Sequence, residues 1–157
     1  MGFRQQFDSG EWRALQLAPF LVLSGVTGRY RGFTTEELQV FERWLSEASR
    51  APGNLNREVL QPVSADVSAF AEEYDGYEET IVGGLAAVGR ILVGQPLVEV
   101  ELFGNSLINI LGAGMTRARG PYGKQATPEG EQMLMMLEEF LRPRVVFPAE
   151  TSSGSAA

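Results

Sequence analysis

Twice in this 157-residue chain an apolar stretch runs into Arg-x-Arg-Gly and then into a Thr-led, Glu-bearing amphipathic segment. The first copy contains "GRYRGFTTEE" (Gly28 to Glu37), the second "TRARGPYGKQATPEGE" (Thr116 to Glu131). Aligned on the basic motif, Arg29 falls on Arg117, Arg31 on Arg119 and Gly32 on Gly120. Upstream, Phe20, Val22 and Leu23 fall on Ile108, Ile110 and Leu111. Past an insertion, Pro121–Gln125, Thr34 meets Thr127, and Val40, Phe41 and Trp44 meet Met133, Leu134 and Leu137. The pattern reads as a divergent internal duplication of a helix-loop-helix unit, over about 11–49 and 97–141. Chance similarity of two amphipathic hairpins is the competing reading. If duplication holds, the hairpins pack about a pseudo-two-fold axis, with the Tyr77–Val93 region joining them.

The rest of the chain extends this all-α expectation to a compact bundle of about seven to eight helices. Asp8 and Ser9 can cap a helix opening near Glu11. Pro19 lacks an amide hydrogen and crowds the previous turn, so the region is expected to split into Glu11–Leu17 and Ala18–Thr27. Thr34, with Glu37 three residues on, has capping-box spacing. Leu38, Phe41, Trp44 and Leu45 then form an apolar stripe, which "RAPGN" (Arg50 to Asn54) breaks. Short helices are expected at 55–61 and 66–74, with Asp75 and Gly76 as punctuation. A longer one is expected from Tyr77 to Val93. Its Gly83, Gly84, Ala86, Ala87 and Gly89 weaken a helix but allow a neighbour to approach closely. Pro96 opens a helix to about Arg117. "LVEVELF" (Leu97 to Phe103) alternates like a strand, but its apolar run continues to Leu111, which favours helix. Thr127-Pro128-Glu129 starts the last helix, with Met133, Leu134, Leu137, Phe140 and Leu141 as its apolar face. A single domain over 1–142 and a small, polar, disordered tail over 143–157 complete the reading.

Composition removes whole classes of chemistry. The chain has neither cysteine nor histidine. That excludes disulfides, zinc-thiolate sites and any Ser-His-Asp triad built on Ser24 or Ser106. A net charge of -7 argues against non-specific nucleic-acid binding. The strongest apolar run, Thr80 to Gly94, is too short to span a membrane and carries Arg90. The N-terminus lacks the apolar core of a secretory signal. A cytoplasmic protein without a cofactor is expected, and "GGLAAVGR" follows neither the dinucleotide nor the Walker pattern.

Two constellations remain as candidate sites. If the duplicated loops converge, Arg29, Arg31, Arg117 and Arg119 could grip a small anion, a phosphate, a nucleotide or an acidic peptide through two-pronged hydrogen bonds. Amides at the helix starts beside Thr34 and Thr127 would assist. The bland alternative is that these arginines neutralise helix C-termini or pair with the chain's own acids. The second constellation, "EEYDGYEE", holds Glu72, Glu73, Asp75, Glu78 and Glu79. It offers oxygen ligands to a hard cation but lacks the alternation of an EF-hand loop, and a solvated turn is its default reading. Glu99 and Glu101 are expected to add to this acidic surface. Of the Met stretch, Met133 and Met136 are expected in the core and Met135 at its edge.

One family carries a similar order of motifs. Glu11-Trp12, Ala18-Pro19, the run Phe20–Val26 and Thr34-Thr35-Glu36-Glu37 resemble the TerB-like proteins, small bacterial helical proteins associated by name with tellurite resistance and stress response. The resemblance covers 9–49 well and 80–141 more loosely. It implies a compact all-α bundle with acidic, metal-binding positions after the apolar helix. There this chain departs, with Gly28-Arg29-Tyr30-Arg31-Gly32 in place of Asp-Gly, and paired guanidiniums repel a metal ion. The expected function is a non-enzymatic interaction or scaffold module, with a protein partner or self-association. The alternative is a small-anion or nucleotide binder using the arginine loops.

Overall fold

The computed structural model describes residues 2–28, 32–119 and 128–141. Seven α-helices account for most of them, and no strand occurs among the described residues. The stretch 97–103 is helical.

Local capping sets where several helices start. In α1 (Ser9–Thr27) the amide of Glu11 donates to Asp8 Oδ1 at 2.7 Å and the amide of Asp8 to Glu11 Oε1 at 3.0 Å. In α2 (Thr35–Ser49) the Glu37 amide donates to Thr34 Oγ1 at 3.0 Å, and the Thr34 amide to Glu37 Oε1 at 2.8 Å. Both reciprocal pairs satisfy amides that the helix itself cannot. α3 (Asn54–Ala65) starts after Gly53, which has no side chain to cap with. Glu99 from a distant helix does so instead, accepting from the Leu55 amide at 3.0 Å. Glu99 therefore belongs to the frame of the fold rather than to a free acidic surface.

Three boundaries differ from expectation. α1 runs unbroken through Pro19. Every residue from Ala14 to Ser24 is buried, and α1 is packed against α3, α4, α5, α6 and α7. A helix apolar on all sides belongs at the centre of a core. Its burial outweighs the roughly 3 kcal/mol that an interior proline costs. α3 likewise continues past 61 through Pro62, with Leu55, Val59, Leu60 and Val63 buried. α5 (Ile81–Ile91) starts later than Tyr77, because Thr80 caps it: the Gly83 amide donates to Thr80 Oγ1 at 2.9 Å. α4 (Val67–Asp75) and α6 (Leu97–Arg119) lie close to their expected spans, and α7 (Pro128–Leu141) starts at its proline.

The core centres on Phe20. Its ring meets Phe41 edge-on at 5.0 Å, Tyr74 at 5.6 Å and Phe33 at 6.3 Å. The Tyr74 hydroxyl shares a buried 2.8 Å hydrogen bond with Ser24 Oγ, so the ring sits in the core without stranding its polar end. Small residues set the spacing elsewhere. A Cβ on Gly84 would stand 2.6 Å from Leu21 Cδ1, which is the close approach of α5 to α1 that its glycines lead one to expect. Met133 presses its methyl into the notch left by Gly25, seating α7 on α1. Met133 is buried, Met136 is partly buried against the core and Met135 is exposed.

Candidate functional site

The helices that precede the two basic motifs come close near their ends. Val26, near the end of α1, sits against Gly114, near the end of α6, where an added Cβ would lie 2.9 Å from Val26 Cγ1. Gly28 ends α1 in the left-handed conformation, φ 72°, with its amide on Ser24 O. Arg29 and Arg31 follow and lie outside the described residues. Arg117 and Arg119 close α6, and their side chains also lie outside the described set, as do the Pro121–Gln125 insertion, Thr127 and the tail over 143–157. Residues Gly32 and Phe33 are described. The Gly32 amide donates to Asp75 Oδ1 at 3.2 Å, and Phe33 stacks on Tyr74 at 6.0 Å. One acid of the acidic stretch therefore holds Gly32, the last residue of the first basic motif.

The other acids of that stretch do not gather. Glu73 pairs with Arg13 Nε at 2.7 Å, while Glu72, Glu78 and Glu79 are exposed. Among the described residues no three acidic side chains are placed to hold one metal ion. The sequence brings the five together along the chain, but in the fold Asp75 holds the Gly32 amide and Glu73 holds Arg13. Beside them, burial and then the charge of Glu79 and the neighbouring Tyr74 push the Tyr77 hydroxyl above its ordinary pKa. Ser24 is committed to Tyr74, and Ser106 is buried in the core with its Oγ unpartnered by protein. Neither has the access that a nucleophile needs.

Two features were not legible in the sequence. The first is a cleft of about 470 Å³ where α1, α2 and α6 meet, lined by Leu23, Val26, Thr27, Glu37, Val40, Trp44 and Gly114. The second is an exposed apolar corner. Val82 is 52% exposed, Val93 75%, Leu97 51% and Val98 57%. Val93, Leu97 and Val98 flank the turn into α6, which Gly94 makes with φ 89°, and Val82 stands at the other end of α5. Their apolar type reads as core. The only local hint of the corner is Gly94-Gln95-Pro96, which turns the chain between two apolar flanks. Among the described residues no helix is long and apolar enough to cross a membrane.

No protein-family model, curated protein or solved structure matches this chain.

Proposed function

We propose that the chain is a non-enzymatic helical interaction module of the TerB-like kind, presenting its α5–α6 corner to a protein. The observation that carries this reading is the exposure of three large apolar side chains close together in the chain, Val93, Leu97 and Val98. Exposed apolar residues that lie together mark contact surfaces, whereas single ones are ordinary. The test is affinity capture from a cell lysate with the full chain and with Val93→Asp combined with Leu97→Asp. The module reading requires a protein that the parent retains and the double variant loses. Identical capture profiles would remove the corner as the site.

A second reading, a small-anion binder, draws support from the Val26–Gly114 contact, since Arg29 and Arg117 each follow three residues later. Thermal unfolding with phosphate and nucleotides addresses it. Ligand at a hundred times its Kd adds about 2.7 kcal/mol of stability. An unmoved midpoint across the panel eliminates this reading.

A further inference from the structure

We infer that the partner of α5 is α5 of a second copy, arranged antiparallel about a two-fold axis; this rests on the interaction-module reading and names the occupant of that surface. One side of α5, with Gly84, Leu85 and Val88, is buried. The opposite side carries Val82, Gly83, Ala86, Arg90 and, just past the helix, Val93. Ala86 near the middle of that side leaves room for a second helix, and the valines at either end gain from being covered.

Charge selects the orientation. Acids stand only at the start of this face, at Glu78 and Glu79, and its one base, Arg90, stands near the end. Glu79 lies over the first turn, where a Cβ on Gly83 would meet its Oε1 at 2.8 Å. The ion pair Arg13–Glu73 is the one pair among the described residues, so Arg90 and Glu79 are not paired with each other or with a neighbour. The Glu79 carboxylate thus lies near the level of Gly83, about 10 Å along the axis from Arg90 at 1.5 Å per helical residue. A parallel pair of α5 helices would set Arg90 against Arg90. An antiparallel pair, with its axis near Ala86 and Ala87, sets each Arg90 against the Glu79 carboxylate of the other copy. The same patch then serves both copies, as a two-fold contact demands. Eleven residues of helix make a small interface, so the dimer is expected in the micromolar range rather than permanent.

Sedimentation equilibrium of the full chain tests this. The parent is expected to dimerise with concentration. Glu79→Arg alone and Arg90→Glu alone each set like charges across the axis and should weaken the dimer at least tenfold. An equimolar mixture of the two variants should recover the parent's affinity, because the reversed charges complement only between copies. Both substitutions are at exposed positions, and unchanged unfolding midpoints will confirm that the monomers are intact. A mixture that stays monomeric, or a single reversal that dimerises like the parent, overturns the proposal. A parent that stays monomeric up to about 1 mM also overturns it. If that monomer still captures another protein through Val93 and Leu97, the module reading survives; if it captures nothing, both fall.

Discussion

The helix pair α1 and α2 and the pair α6 and α7 share an order of motifs but not a packing. α7 lies directly along α6, whereas α2 stands off α1 and rests on α3 and α6. The difference follows from side-chain volume. Between α1 and α2 stand the rings of Phe20, Phe41 and Phe33, backed by Tyr74. In the second unit the positions aligned with Phe20 and Phe41 are Ile108 and Leu134. Rings of this size keep two helix backbones apart where aliphatic side chains let them close. The gap left by the first unit is the cleft lined by Val26, Val40 and Trp44. An apolar periodicity common to both units thus specifies that helices pair, while residue size decides how closely.

The comparison can be broken most directly at Phe20. Phe20→Ala removes the ring that three aromatic neighbours share and is expected to cost about 3–5 kcal/mol, measured by urea unfolding. A loss below about 1 kcal/mol would show that these rings are not the wedge. The α1–α6 contact comes next. At Gly114 an added methyl meets the stiff, branched Val26, so Gly114→Ala should destabilise by about 1–2 kcal/mol. Gly112 on the same helix has nothing within 4 Å of an added Cβ. Gly112→Ala should therefore stabilise by about 0.5–1 kcal/mol through helix propensity. Equal responses at the two positions would contradict the close approach at Val26. Thr34→Ala removes the cap that starts α2 and should cost about 1 kcal/mol, with faster amide exchange confined to its first turn. Unchanged exchange there would mean that tertiary contacts alone hold the start of α2.

The smallest expected effect is at Tyr77. Its folded-state pKa is raised, so the folded chain holds the hydroxyl proton more tightly than the unfolded chain does. Between the unfolded value, about 10, and the folded one, the folded state binds more protons, and stability must fall as pH rises. Tyr77→Phe should flatten that alkaline decline while leaving stability at neutral pH nearly unchanged. An identical slope in the variant would exclude Tyr77 as its source.

Much of the architecture was legible because its causes are local. Asp8, Thr34 and Pro128 act on amides within a turn or two, so their neighbourhood in sequence is enough to place helix starts. Thr80 is equally local, but the apolar residues before Gly83 obscured it. The continuity of α1 through Pro19 was not legible, because what offsets the proline is the burial of Ala14 to Ser24 by five other helices. Nor was the capping of α3 by Glu99, whose partner at Leu55 lies far along the chain.

For this protein the sequence by itself determined that the chain would be helical, where several helices begin, and that neither thiol nor imidazole chemistry is open to it. Tertiary structure alone decided which apolar residues are core and which are surface. Leu85 and Val93 are alike to any hydropathy argument, yet one is fully buried and the other is 75% exposed. Burial depends on which helix arrives from elsewhere in the chain to cover a face, and the residues of that face carry no record of it.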